Sequence, residues 1–360
     1  MKRWLCGLSL FSTLALSVPA FADQAHPILT FDAPGAGTDS GQGTFPVALN
    51  AFGEVVGWYI DAGNTSHGFA RTVDGAFITF DVPGSVSTAA YAINLEGAIV
   101  GPYFDGNFVR HGFLRTRDGR ITTVDGGPSG RVTVASNINV FGAISGGFAD
   151  ANNVRSCYVR TPHGKLTTFI PPGVAADARL ACATFTTDAL NDVGAMAGYS
   201  VAADRTVHSW IRARDGKFTT LDVAGAGTGP DQGTYAAGIN WGGTVPGWLV
   251  DSSDVTHGFV RAPDGKITTF DVEGAGTGPG QGTFVATLNL FGAITGWYVD
   301  ASDVNHAFVR APNGKITTFD VEGAGTAPGQ GTLGGANNDV GEVTGGYFDA
   351  NGVSHGFLRR

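Results

Sequence analysis

Ile28-Leu29-Thr30-Phe31-Asp32 stands alone near the start of the chain and is one of seven variants of a single segment. The other six, at 77–81, 121–125, 166–170, 218–222, 267–271 and 316–320, each follow a three-strand pattern. A seventh three-strand pattern ends at Arg359 with no such segment after it. The displaced copy, residues 28–32, supplies the missing fourth strand, so the chain is expected to close into a ring.

The spacing of the repeat supports this. Gly57, Gly101, Gly146, Gly198, Gly247, Gly296 and Gly345 are equivalent, at intervals of 44, 45, 52, 49, 49 and 49 residues, the range of propeller and solenoid repeats. Each unit reads as four short strands. The first ends in an Asn-x-x-Gly turn in all seven units, from Asn50/Gly53 to Asn338/Gly341, and Asn and Gly are the residues expected where a tight hairpin needs positive φ. The third strand is typified by His257-Gly-Phe-Val-Arg261, and Asp-Gly or a close variant, as at Asp264-Gly265, joins it to the fourth. No segment shows a sustained helical period. The expected fold is all-β: a seven-bladed β-propeller of four-stranded blades, with first-to-third strand sets at 44–72, 87–116, 131–161, 183–213, 233–262, 282–311 and 331–360, and residues 28–32 as the outer strand of the last blade. An open solenoid is the alternative, but it needs polar end caps that neither terminus supplies.

Composition bounds the rest. Lys2 and Arg3, the apolar run from Trp4 to Val18 and the Ala20-Phe21-Ala22 site fit a secretory signal over 1–22, leaving one domain over 23–360. No later run approaches the ~18 apolar residues of a membrane span. Without the signal, 20 basic residues face 31 acidic ones, a net charge near −11. That balance disfavours nucleic acid and anionic lipid as unspecific partners. A secreted, extracellular or periplasmic monomer is expected.

The His-Gly-Phe triplets, His306-Ala307-Phe308, the Asn-x-x-Gly turns and the Gly-Ala-Gly-Thr loops resemble the extracellular HAF-repeat proteins of bacteria. The likeness covers the mature chain and implies a propeller-like repeat fold and a bacterial exported protein. It implies no activity, because the family carries no common catalytic motif.

Several groups of residues invite a chemical reading. Six histidines, His67, His111, His208, His257, His306 and His355, hold one repeat position. Equivalent positions on neighbouring sheets lie ~10 Å apart, too far to share one metal ion, so each histidine is expected to hydrogen-bond within its own blade. The arginines four residues on are expected to pair with the repeated aspartates. Asp251 with Asp254, and Asp300 with Asp303, put two carboxylates into one turn and are the calcium candidates, although aspartate is also an ordinary turn former. No other metal or cofactor is expected. Trp58, Trp248 and Trp297 follow the second-strand glycine and are candidates for stacking on sugar rings, with interblade packing as the competing role. Glu54, Glu96 and Glu342 lie at the first hairpin of consecutive blades, where a solvated rim is the simplest reading.

Where the repeats diverge, a ligand has room to be specific. The blade-linking loops carry Gly-Ala-Gly-Thr in four places, but those around blades 3 and 4 are irregular and bring Arg131, Arg155, Asp177, Arg179 and Asp188 together in sequence. These are the candidate binding residues; drift in repeats freed from selection is the simpler reading. Cys157 and Cys182 are expected to form a disulfide in an oxidising compartment. No Gly-x-Ser-x-Gly elbow, zinc helix or P-loop is present. The expected function is therefore an exported binding module for carbohydrate, another extracellular polymer or a cell-surface protein. A lyase or hydrolase with an axial active site is the alternative, and a scaffold without ligand is the third reading.

Overall fold

In the computed structural model the described residues are 26–127, 132–150, 155–173 and 189–360. They form strands and turns without a helix. Antiparallel ladders divide the strands into seven groups. In the first, Gly43–Leu49, Val55–Ile60, Ser66–Arg71 and Phe77–Phe80 pair in chain order from the inside outwards. Four of the other groups, the second, third, fifth and sixth, show the same order, the inner strand of the second being split into Ser85–Thr88 and Ala92–Ile93. In the fourth, the inner pairing is a single bridge from Leu190 to Met196, beside three outer strands.

The last group is completed from the other end of the chain. Gly331–Asn337, Val343–Phe348 and Ser354–Arg359 pair in order, and Ile28–Phe31 then pairs antiparallel with Ser354–Arg359, Ile28 opposite Arg359 and Phe31 opposite Gly356. The displaced segment is thus the outer strand of the last group. Asp32 also accepts a hydrogen bond from His355 at 3.0 Å.

Adjacent groups are stitched where an inner strand begins. Gly43 forms a parallel bridge to Ser354, as Gly233 does to Val207, Gly282 to Thr256 and Gly331 to Asn305. Gly43 has φ +113°, and a Cβ there would lie 2.0 Å from the Ser354 carbonyl oxygen, so no other residue fits. The glycine of the His-Gly-Phe triplet has a different reason. A Cβ on Gly356 would lie 2.4 Å from the Phe31 ring; the glycine makes room for the outer-strand phenylalanine that crosses it.

The core lies between the sheets. Val55, Phe69, Phe113, Ile144, Ile294, Phe308 and Phe357 are fully buried, each group offering one face to either neighbour. The strand-end arginines belong to this interface and do not pair with aspartates as expected. The guanidinium groups of Arg71, Arg115, Arg212, Arg310 and Arg359 sit over the outer-strand rings of the preceding group, Phe31, Phe80, Phe169, Phe270 and Phe319, at 4.4 to 5.1 Å. Guanidinium is weakly hydrated and planar, so a ring face suits it in a half-buried junction. Arg160 and Arg261 follow outer strands ending in Val124 and Leu221, which offer no ring.

The alternation of strands gives the molecule two ends. One carries the Asn-x-x-Gly turns and the outer hairpins; the other carries the aspartate turns, the histidines and the loops linking one group to the next.

Candidate binding face

The seven turn asparagines are the centre of one end. Each side-chain amide donates to the backbone carbonyl of the next asparagine: Asn50 to Asn94, Asn94 to Asn139, Asn139 to Asn191, Asn191 to Asn240, Asn240 to Asn289, Asn289 to Asn338, and Asn338 back to Asn50, at 2.9 to 3.4 Å. Each Oδ1 meanwhile accepts the N–H four residues on, as Asn289 does from Ala293 at 2.9 Å. Positive φ was the role expected of both turn residues, but only the glycines adopt it. The asparagines are selected instead for an amide that closes its own turn and clasps the next one.

This ring frames an axial cavity of about 240 Å³, lined by the inner-strand ends from Ala48, Ala92, Ile138 and Leu190 round to Ile239, Leu288 and Ala336. The ionisable side chains in its lining are Asp192 and Asp339, and both are occupied. Asp192 accepts the Val140 N–H at 3.1 Å and Asp339 the Leu290 N–H at 2.9 Å. Glu54 and Glu342, read above as rim carboxylates, are also engaged. Glu54 takes two bonds from Arg117, at 2.9 and 2.7 Å, and one from Asn50. Burial works against its charge, but Arg117 and Asn50 outweigh burial and hold its carboxyl below the usual range. Glu342 accepts from Asn338 and lies 3.3 Å from Arg360.

Apart from Glu96, Asp192 and Asp339, the large side chains between the asparagines and the turn glycines are apolar. Phe52, Leu95, Phe141, Val193, Trp241, Leu290, Phe291 and Val340 are all exposed, Phe141 at 69% and Trp241 at 61%. They are eight of the 14 exposed large apolar side chains among the described residues, so most of the apolar surface is gathered at one end. Exposed apolar side chains gathered at one end of a molecule mark an interaction surface. The signal was present in the sequence. Tight-turn tips favour polar residues, yet Phe52, Val140-Phe141, Trp241 and Leu290-Phe291 stand between Asn and Gly.

The opposite end holds the histidines. His67 Nδ1 bonds Asp81 at 2.9 Å while its Nε2 lies 3.4 Å from Asp61, and Tyr59 stacks on the ring at 5.0 Å. Burial lowers the pKa of His67, but the bond and charge of Asp81, reinforced by Asp61, outweigh this and raise it above the ordinary value. His111, His257, His306 and His355 also lie between two carboxylates, and His208 bonds Asp222 and Thr206. The expected blade-internal role is the one observed.

The calcium candidates are at this end. Asp251 Oδ1 accepts the Ser253 and Val255 N–H groups, and Asp300 Oδ1 those of Ser302 and Val304. Asp254 and Asp303, both at φ +61°, accept from Gln232 and Gln281 at 2.8 Å. The two carboxylates of each turn serve different partners. Among the described residues no three His, Cys, Asp or Glu side chains converge as a metal site.

Each of the three tryptophans stacks on an inner-strand ring of its own group. Trp58 stacks on Phe45 at 5.6 Å and meets Tyr91 of the next group at 5.7 Å; Trp248 stacks on Tyr235 at 5.2 Å and Trp297 on Phe284 at 5.4 Å. One indole face of each is therefore covered. Of the divergent residues, Arg155 opens the third strand of its group opposite Ala149. Arg131, Asp177, Arg179 and Asp188 lie outside the described residues, as does Cys182, the expected partner of the fully buried Cys157.

No protein-family model matches the chain, and comparison with curated proteins gives no match. Solved structures do match. A streptogramin B lyase aligns with TM-score 0.56 at 14% identity over 92% of this chain and 97% of its own. Virginiamycin B lyase from Staphylococcus aureus aligns with TM-score 0.57 at 15% identity over 93% and 100%. The BP39L lectin from Burkholderia pseudomallei gives 0.51 at 10% identity over 86% and 96%. At these identities the likeness is one of fold: the chain is a β-propeller. No helix among the described residues is long and apolar enough to cross a membrane.

Proposed function

We propose that the protein is an exported, non-catalytic binding module that seats an extended extracellular partner on its asparagine-turn end. One observation carries this: eight exposed apolar tips surround an axial cavity whose two ionisable side chains, Asp192 and Asp339, are held by backbone donors. A hydrolase or lyase there would need an acid or base free to reach its substrate. Export rests on the signal-like segment 1–22, and kinship with the extracellular HAF-repeat proteins on the repeat motifs. The carbohydrate reading moves with the site. Exposed Phe52, Phe141, Trp241 and Phe291, rather than the packed Trp58, Trp248 and Trp297, are the rings that a sugar face would meet.

The test is binding of the purified chain to extracellular envelope material and to a glycan array, alongside Trp241→Ala with Phe141→Ser. Binding lost in that variant, with its thermal midpoint retained, supports the reading. Undiminished binding, or turnover of any arrayed glycan, refutes it.

A further inference from the structure

The net negative charge conceals a separation of charge. Among the described residues, the histidine end carries 19 of 28 acidic side chains but only three of 18 basic ones, Arg110, Arg155 and Arg205. The asparagine-turn end carries the remaining 15 basic and nine acidic side chains. All four described lysines, Lys165, Lys217, Lys266 and Lys315, lie there, each directly after the glycine of an outer hairpin and each exposed. The acidic groups at this end are largely engaged. Asp215 and Asp264 accept the backbone N–H of Lys217 and Lys266, Asp74 and Asp118 bond Thr72 and Thr116, and Glu54 and Glu342 are paired with arginines.

The apolar tips and the basic hairpins share this end, the tips nearer the axis and the lysines on the outer hairpins. The chain also enters here. His26, the first described residue, bonds the Arg360 carbonyl at 2.8 Å at the asparagine-turn end of the last group.

We infer that the asparagine-turn end docks on an anionic lipid bilayer, with the apolar tips at acyl depth and the lysines at the headgroups. This rests on the binding face proposed above and names its partner. Leu95, Val193, Leu290 and Val340 have no flat face for a sugar, whereas aliphatic and aromatic tips inside a basic rim are what an interfacial protein buries. The charge separation orients the encounter, because an anionic surface attracts one end and repels the other. A second copy fits less well: pairing two asparagine-turn ends opposes two basic surfaces, and pairing an asparagine-turn end with a histidine end meets a surface without a comparable set of apolar tips.

The test uses the chain as recovered after export, mixed with vesicles of phosphatidylglycerol and phosphatidylcholine in equal parts, or of phosphatidylcholine alone. The expected results are sedimentation with the anionic vesicles, weakened by salt, and quenching by brominated acyl chains of Trp241, the exposed one of the five described tryptophans. Phe141→Ser with Phe291→Ser, and separately Lys217→Glu with Lys266→Glu and Lys315→Glu, should each weaken vesicle binding about tenfold or more. The quenching needs no variant, so a misfolded variant leaves the test intact. Absence of binding to anionic vesicles at low salt, binding indifferent to both variants, or self-association that shields Trp241 from the lipid would each overturn the inference. If Phe141→Ser with Phe291→Ser loses envelope or glycan binding while vesicles never bind, the binding face stands and only its lipid partner falls.

Discussion

Replacing Asn289 tests whether the asparagine ring holds the propeller together. Its amide donates to the Asn338 carbonyl at 3.0 Å, and its Oδ1 accepts the N–H of Ala293, a residue 3% exposed. Asn289→Ala removes both bonds. The Asn338 carbonyl keeps the Gly341 N–H at 3.2 Å, so that side loses about 1 kcal/mol, while a buried Ala293 donor without a partner costs about 1 to 3 kcal/mol more. The expected loss is about 2 to 4 kcal/mol. Asn289→Asp separates the two roles. It keeps the acceptor for Ala293 but turns an oxygen towards the Asn338 carbonyl, where only a protonated carboxyl can donate. Its folded pKa therefore rises above the unfolded ~3.9, so the charge penalty is small below that pH and grows as pH rises. Urea unfolding at pH 4 and pH 7, read as midpoint shifts at constant slope, measures both. A loss under about 0.5 kcal/mol for the alanine variant, or equal destabilisation of the aspartate variant at the two pH values, would refute the reasoning.

Other outcomes follow from the same contacts. Deleting residues 26–32 removes the Phe31 packing on Phe69 and Phe77, the Arg71 contact and the Asp32–His355 pair; the thermal midpoint should fall by more than for Phe31→Ala, itself about 3 kcal/mol, and equal effects would show that the strand adds nothing beyond its ring. Arg310→Leu, which leaves the Phe270 ring uncovered, should cost about 1 to 2 kcal/mol by denaturation and Arg261→Leu less, a ranking that a reversed order would exclude. For His67 the folded pKa is raised, so its stabilisation is complete below the unfolded value of about 6.5 and is lost as pH rises through the folded value. An NMR titration should place it above the ordinary range, and Asp81→Asn should bring it down. Mass spectrometry of unreduced peptides should find Cys157 joined to Cys182; free thiols would remove that pairing.

The repeat made the fold legible because each blade demands the same backbone answers. Gly43 and Gly356 occupy places that only glycine tolerates, and the stray 28–32 segment had one vacancy to fill. The histidine partners were legible too, since turn and strand positions six residues apart must meet across a hairpin. What escaped was whatever depends on neighbouring blades. The asparagine ring joins residues 44 to 288 apart in sequence, and the arginines find rings one blade away. Net charge is blind for a related reason: a sum over the chain carries no direction, whereas up-and-down strands sort alternate turns onto opposite ends.

Ring closure by the first strand also sets the order of events in the chain's life. Ile28–Phe31 leaves the ribosome more than 300 residues before its partner Ser354–Arg359. Until that partner arrives, both edges stand open, and an unpaired strand is a template for aggregation or proteolysis. A prematurely terminated chain can never seal. The propeller thus contains its own test of a finished ring, passed only when the first and last strands of that ring lie side by side.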